Sequence, residues 1–475
     1  MNLNDYKKIY MIGIKGVGMT ALAEIFNSRG KEVVGSDTEE KFFTDEILKK
    51  RGIKVYEGFN SANLEAEKPE LIIYSTAYAE NNLELAVAKN KNIPILSYPE
   101  ALGLISKEGE CIAVSGTHGK TTTTAMLGFV LAQLGADPTV VVGSAVPQFD
   151  GNARIGRGKN VIVEADEYQN KFLHLDPLGI ILTSIEYDHP DFFKTENDYI
   201  LAFQNFVKKI PQDGFLTACF DDKKVEEISK DASCEIISYG LNNGEWQARL
   251  RQITARQAKN IKQVAGETIF DVFRGNVSQG TFKIKLFGNH NVLNALAVVA
   301  TASRLGYGLE DIKRALSGFQ GTVRRFEIKG IFNGITIIDD YGHHPTEIKV
   351  TLKATREKYS ENRIWCVFHP HTFSRTKALL SDFIQSFDDA DKIIVLDIYS
   401  SAREKAGEVH SRDIVEALKK QGKDALYLGT ISEAVDFLAS QAESGDVIIT
   451  MGAGDVWRVG EQLLNHESRI TNHDS

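Results

Sequence analysis

The residues best equipped for chemistry lie in Ser115-Gly116-Thr117-His118-Gly119-Lys120-Thr121-Thr122, a stretch that reads as a cradle for nucleotide phosphates. The apolar run Cys111 to Val114 predicts a strand that ends in the loop Gly116 to Gly119. Small residues there let backbone N–H groups point at phosphate oxygens where a helix begins. Lys120 has the reach for the β- and γ-phosphates, and the Thr121 hydroxyl suits Mg²⁺. The spacing GxxGKT is tighter than the common GxxxxGK[ST], so the assignment rests on the succession of strand, loop, Lys-Thr and helix. A glycine-rich turn that only caps a helix is the alternative.

A second glycine loop, Gly13-Ile14-Lys15-Gly16-Val17-Gly18-Met19-Thr20-Ala21, follows the apolar run Ile9 to Ile12. Gly16, Val17, Gly18 and Ala21 fit a dinucleotide fingerprint, and Asp37 stands after the next strand-like run at about the expected twenty residues. The fingerprint explains how a diphosphate sits on a helix N-terminus with a carboxylate near a ribose, and it does not select NAD. An NAD-dependent dehydrogenase uses only this loop and leaves Lys120, Glu164 and His189 unexplained. A diphosphate site followed by a triphosphate loop fits a nucleotide-carried substrate used together with ATP. A solvated turn residue is the other reading of Asp37.

These loops need parallel sheets to hold them. Strand-like runs at Ile9-Tyr10-Met11-Ile12, Glu32-Val33-Val34 and Leu71-Ile72-Ile73-Tyr74 alternate with helical stretches, and a second alternating series starts at Cys111. A third runs from Thr336 to Thr450, and the helix signal covers Asn291 to Arg304 and Leu309 to Leu316. This predicts an α/β protein with crossover helices. The polar stretch from Asn242 to Gly280 reads as strands and turns on an antiparallel edge, and residues from about Asn465 as a frayed end. A chain of 475 residues exceeds one ordinary core. A formal charge of −9 argues against broad nucleic-acid binding but leaves room for a local basic cleft. Cys111, Cys219, Cys234 and Cys366 show neither metal-ligand spacing nor a disulfide framework. With no signal peptide or membrane span in view, a cytoplasmic protein is expected.

With both loops in place, the chain resembles the Mur ligases of peptidoglycan precursor synthesis over nearly its whole length. Besides the two loops, the matching stretches are Gly35-Ser36-Asp37, Glu164-Ala165-Asp166-Glu167, Asn289 to Ala295, Arg324-Arg325-Phe326, Asp339 to Glu347, Pro370-His371, Ser374-Arg375-Thr376 and Met451 to Asp455. The resemblance implies a UDP-sugar-binding Rossmann-like domain over 1–105, a central P-loop-type ATPase domain over 106–323 and a C-terminal Rossmann-like domain over 324–475 that takes the amino acid. It implies ATP and Mg²⁺ as cofactors and an acyl phosphate made on the carboxylate of UDP-N-acetylmuramate. The third-domain signature Phe368-His369-Pro370-His371 with Ser374-Arg375-Thr376 looks like the L-alanine-adding pattern. Glu164 to Tyr168 and Ser97-Tyr98-Pro99-Glu100 also resemble the members that attach L-Ala-γ-D-Glu-diaminopimelate, which stays as the alternative. A monomer and a homodimer are both open, and no membrane partner is expected.

Glu164 follows the apolar strand Val161 to Val163, where a carboxylate can hold Mg²⁺ together with Thr121. By resemblance, Glu164 and His189 frame a second Mg²⁺. Around Ala202-Phe203-Gln204 there is no counterpart of the carbamylated lysine that several related ligases carry, so that modification is not expected. Asn291 and Asn294, three apart on a helix face, and His290 are matched to the adenine pocket. Asn289 or Asn291 also suits the helix N-cap. Arg325 is matched to the arginine that meets the γ-phosphate, with Arg324 as the competing choice. Asp340 is expected at the nucleotide, Tyr341 at the substrate, and His343 and His344 in substrate positioning without a named general base. Ser36, Ser75 and Thr76 join Gly16, Val17, Gly18 and Asp37 at the UDP-sugar. His371 and Arg375 are expected to hold the amino-acid carboxylate and the nearby phosphate.

Overall fold

Three series of strands and helices build three sheets in the computed structural model, which describes residues 1–78, 82–251, 267–400 and 407–470. In the first sheet the strands run Lys54–Glu57, Glu32–Asp37, Lys8–Ile12, Leu71–Tyr74, Ile95–Ser97, all parallel. Ile9, Tyr10, Met11 and Ile12 are fully buried in the central strand. An apolar strand covered on both faces is what a parallel sheet with crossover helices requires. The glycine turn leaves the carboxyl end of that strand and enters the helix Val17–Ser28, with Gly16 at the N-cap.

The second sheet has ten strands, and its centre is Gly179–Leu182, Glu110–Ser115, Asn160–Glu164, Thr139–Val146 in that spatial order, all parallel. Its far edge is antiparallel, formed by Trp246–Leu250, Thr268–Arg274 and Val277–Ile284. This matches the reading of the polar stretch, of which 252–266 lie outside the described residues. The third sheet has six strands, with Ile335–Asp340, Val447–Met451 and Ile364–Phe368 parallel at its centre. The helix Asn289–Arg304 begins two residues earlier than expected, so Asn289 and Asn291 occupy its first turn and neither is the N-cap. The helix Trp457–Ile470 continues past the expected fraying point, and 471–475 lie outside the described residues.

The chain packs into two compact units. One comprises Met1–Tyr187, Glu196–Leu286 and Asn291–Thr322, and the other comprises Asp188–Thr195, Phe287–His290 and the chain from Val323 onward. In the first unit, the helix Val17–Ser28 lies against the hairpin of Thr139–Val146 and Gly151–Arg154 from the second sheet. Glu24, 1% exposed, accepts hydrogen bonds from the N–H groups of Asn152 (2.8 Å) and Ala153 (3.2 Å), and Arg51 approaches to 3.1 Å. Burial raises the Glu24 pKa, and the Asn152 N–H and Arg51 work against it. A side chain at Gly151 would stand 2.0 Å from the Glu24 carboxylate, so the hairpin needs glycine there. Arg29, just past the same helix, pairs with Glu108 through two bonds, of 2.9 and 2.7 Å. Glu24→Ala removes the acceptor for two backbone donors and a guanidinium. The expected loss is about 2–4 kcal/mol of stability, measured by urea unfolding, with a smaller loss for Glu24→Gln.

Candidate active site

The strand Glu110–Ser115 lies between two parallel neighbours, with Val114 level with Glu164 on one side and Ser115 level with Leu182 on the other. The loops after the three strands therefore converge at one end of the sheet, where ligands of α/β proteins collect. Gly116 and Gly119 adopt φ of +132° and +80°, a region that glycine enters without strain. A side chain at Gly116 would meet Thr183 Oγ1 at 2.2 Å, and one at Gly119 would meet Asn294 Oδ1 at 2.5 Å. The loop is also tied down internally. The Thr117 N–H donates to Ser184 O (2.9 Å), the His118 N–H to Ser184 Oγ (3.0 Å), and the Thr117 hydroxyl to Glu186 O (2.8 Å). His118 Nε2 lies 2.8 Å from Glu186 Oε2. The cradle is thus left to the start of the helix Lys120–Gln133, where Lys120, Thr121 and Thr122 present N–H groups that a helix cannot satisfy itself.

Lys120 Nζ donates to Gly116 O, to Thr117 O (3.2 Å) and to Glu167 Oε2 (2.9 Å). Burial works to lower its pKa, but the carboxylates of Glu167, Asp166 and Glu164 outweigh that and hold it above the usual lysine value. Glu167 is 1% exposed and also accepts the Tyr199 hydroxyl (3.1 Å). It was not among the expected site residues; the only signal for it was its place in the run Glu164 to Glu167. The Thr121 hydroxyl donates to Glu164 Oε1 (2.8 Å), and the Gly143 N–H to Glu164 Oε2 (2.6 Å). A hydroxyl and a carboxylate side by side are oxygen donors of the kind Mg²⁺ takes. Asn294, whose amide donates to Asn291 Oδ1 (3.3 Å), touches the same loop at Gly119.

At the first glycine loop, Asp37 is 1% exposed, and its carboxylate accepts the N–H groups of Lys15 (2.7 Å) and Thr38 (2.8 Å). It holds the turn from inside rather than standing in solvent. Burial raises its pKa. The Ser36 hydroxyl is buried and donates to Glu84 (2.5 Å), while Ser75 accepts the Ala77 N–H (3.3 Å) and Thr76 opens a short helical turn. Gly13, at φ +79°, would place a side chain 2.8 Å from the Ser75 Cβ.

The remaining expected residues belong to the second unit. Arg324 is committed there: Nε donates to Asp339 (2.8 Å), Nη1 to Gly454 O (3.0 Å) and Nη2 to Gly452 O (2.7 Å). Arg325 is more exposed, 3.8 Å from Glu347 and over the Tyr341 ring, so the geometry separates two arginines that the sequence left open. Asp340 accepts the N–H groups of Phe326 (2.8 Å) and Gly342 (2.7 Å), and burial pushes its pKa up to about 6. His344 caps the helix Pro345–Lys358 by accepting the Thr346 N–H (3.3 Å), and Glu347 completes a capping box. His343 Nδ1 lies 3.0 Å from Tyr341 O, and burial followed by the Arg375 charge brings its pKa down to about 4. His290 stands beside Gly288 at the start of its helix, and His189 sits at φ +57° with Nε2 3.8 Å from Asp188.

Arg375 departs most from expectation. It is 3% exposed, and its fork closes on Asp188, Nε to Oδ1 at 2.9 Å and Nη2 to Oδ2 at 3.2 Å. Nη1 turns to His371, 3.1 Å from Nδ1 and 3.3 Å from the carbonyl. The two-pronged grip expected for an amino-acid carboxylate is already engaged by a carboxylate of the chain itself. Although burial works to raise the Asp188 pKa, Arg375 and then His189 hold it well below the usual carboxylate value.

The Mur ligase family catalytic domain model matches residues 8–109, the Mur ligase middle domain 114–302, and the Mur ligase glutamate ligase domain 324–454. The UDP-N-acetylmuramate–L-alanine ligase of Acetivibrio thermocellus is 42% identical over 470 residues, which are 98% of this chain and 97% of that protein. The crystal structure of the UDP-N-acetylmuramate–alanine ligase of Thermotoga maritima superposes with a TM-score of 0.82 at 28% identity, covering 97% of this chain and 99% of that one. A murein peptide ligase from Psychrobacter arcticus shares the fold, with a TM-score of 0.71 at 24% identity over 97% of this chain and 98% of that one. This chain belongs to the Mur ligase family, and the resemblance read from its motifs, with three α/β domains, is borne out.

Two outcomes follow from the second unit. Arg375→Ala leaves Asp188 buried and unpaired, so about 3–5 kcal/mol of stability should be lost in urea unfolding. Arg375→Ala combined with Asp188→Asn should recover most of it. His343 has a folded pKa of about 4 against a usual 6.5, so the unfolded chain takes up the proton first as pH falls. Its contribution is present in full above pH 6.5 and is lost as pH falls toward 4, by about 3 kcal/mol. The difference in unfolding free energy between the wild type and His343→Asn, followed over that range, should change by this amount.

Proposed function

We propose that this chain joins L-alanine to the carboxylate of UDP-N-acetylmuramate, converting ATP to ADP and phosphate, in the cytoplasmic synthesis of peptidoglycan precursors. The observation that carries the reading is the constellation of Lys120, Thr121 and Glu164 at the mouth of the second sheet, in the same compact unit as the glycine turn and Asp37 of the first. A dehydrogenase has no use for the first group. Residues 1–105 are assigned to the UDP-sugar, 106–323 to ATP and 324–475 to the amino acid.

A carboxylate resists attack by an amine because its oxide is a poor leaving group. Transfer of the γ-phosphoryl group to the carboxylate, with ADP departing, turns that oxide into phosphate. The amine then adds to the acyl carbon, and phosphate leaves as the amide forms. The protein's part is positioning and charge neutralisation. The helix start at Lys120 to Thr122 would take phosphate oxygens, and Lys120 would exchange Glu167 for the β- and γ-phosphates. Thr121 and Glu164 would hold Mg²⁺, which neutralises phosphate charge when bound, and His189 is matched to a second Mg²⁺ by resemblance alone. Asn291, Asn294 and His290 suit the adenine. Arg325 and Asp340 suit the phosphate end, and Tyr341, His343, His344, His371 and Arg375 the acceptor end. No helix among the described residues is long and apolar enough to cross a membrane.

The test is ADP release with mass detection of the product. ADP should appear only when UDP-N-acetylmuramate and an amine are both present. L-Alanine should have the higher specificity constant, and a tenfold preference for L-Ala-γ-D-Glu-diaminopimelate, about 1.4 kcal/mol, would sink the assignment. Lys120→Ala should abolish ligation while calorimetry shows UDP-N-acetylmuramate affinity nearly intact, because the two nucleotides occupy different sheets. A fall in that affinity as large as the fall for ATP would refute the two-site model.

A further inference from the structure

Tyr98 touches the first glycine loop and shares a small cavity with Glu164, and it has no place in the reading above. It is the first residue of the helix Tyr98–Ser106, whose capping box pairs the Ser97 N–H with Glu100 Oε2 (2.7 Å), so its backbone is fixed. The ring lies against the first glycine loop: a side chain built on Gly18 would come within 2.5 Å of both the Tyr98 Cζ and its hydroxyl. Tyr98 also lines a cavity of about 10 Å³ with Glu164, Ala165, Asp166 and Lys171, room for about one water. Its hydroxyl makes no hydrogen bond to any described residue.

A neutral donor is the chemistry this place calls for. The helix Val17–Ser28 would present N–H groups to the diphosphate, yet Glu164 and Asp166 line the same small cavity as Tyr98. A diphosphate near those carboxylates needs donors that bring no negative charge. A phenol hydroxyl supplies one hydrogen bond, and bonds to charged acceptors are the stronger kind. Glycine at position 18 then has a cause beyond close approach of phosphate to backbone: a β-carbon there would displace the Tyr98 hydroxyl.

We propose that Tyr98 is a substrate-contact residue whose hydroxyl donates a hydrogen bond to the diphosphate of the nucleotide-sugar, at the seam between the glycine turn of the first sheet and the Glu164 end of the second. The proposal rests on the nucleotide-sugar reading above. Tyr98→Phe keeps the ring against Gly18 and removes only the donor. Calorimetry with UDP and with UDP-N-acetylmuramate should show both affinities weakened by the same factor, about tenfold, in this variant. The dissociation constant for ATP and the thermal midpoint should stay at wild-type values. A wild type that binds both ligands and a Tyr98→Phe variant that binds them equally well overturns the contact and leaves the functional reading standing. Weakening confined to UDP-N-acetylmuramate, with UDP unchanged, places the hydroxyl on the sugar side and also overturns it. A wild type that binds neither ligand overturns the nucleotide-sugar reading and this contact with it.

Discussion

The burial of one positive charge, the Lys120 ammonium, constrains the whole centre of the first unit. An ammonium taken out of water loses several kcal/mol of hydration unless every donor finds an acceptor and a counter-charge stands close. Lys120 has three donors and spends them on two carbonyls of its own loop and on Glu167. Glu167 needs further donors in turn and receives the Tyr199 hydroxyl, which also lies 2.9 Å from the Thr117 hydroxyl. The loop is thereby closed on itself through residues from three segments that follow three different strands. Any strand order that separated Glu110–Ser115 from Asn160–Glu164 would leave the ammonium or the carboxylate alone.

The same economy governs the second unit. Arg375 and Asp188 are both nearly inaccessible, and each is the other's main counter-charge. Burial, followed by the Arg375 charge, lowers the pKa of both His343 and His371, and the Asp188 carboxylate only partly offsets it. Two histidines in this state serve as hydrogen-bonding groups rather than cations at neutral pH. An adjacent His-His pair in a sequence suggests proton transfer, but here one member caps a helix and the other bonds a nearby carbonyl.

Much of the fold was legible because alternating apolar runs and glycine turns are local signals. The phosphate loop, Thr121 with Glu164, and the antiparallel edge beyond Trp246 all follow from residues close in sequence or from strand ends. What escaped was long-range pairing. Nothing local marks Glu167 as the partner of a lysine 47 residues away, or Asp188 as the partner of an arginine 187 residues on. Arg324 and Arg325 are chemically identical neighbours, and only the placement of Asp339 and two glycine carbonyls tells the buried one from the accessible one. The N-cap expectation for Asn289 and Asn291 failed for a related reason: asparagine is favoured at a cap, yet here the helix starts at Asn289, so both residues lie within its first turn.

The internal carboxylates also set how an anionic ligand can be received. A phosphate reaching Lys120 meets an ammonium whose donors are all engaged, so it gains only the difference between itself and Glu167 as a partner. That makes the interaction conditional: an anion with a single weak charge cannot compete, whereas a polyphosphate that also engages the helix N-terminus can. Arg375 presents a stricter version, because a guanidinium fork matched to one carboxylate accepts another only in the same geometry. A carboxylate and a phosphate both offer two oxygens at that spacing, so the fork by its shape alone does not tell them apart. Holding each cation on a carboxylate of the chain thus keeps the charge balanced before any ligand arrives, and it sets a threshold that favours ligands carrying the right anion together with a second point of attachment.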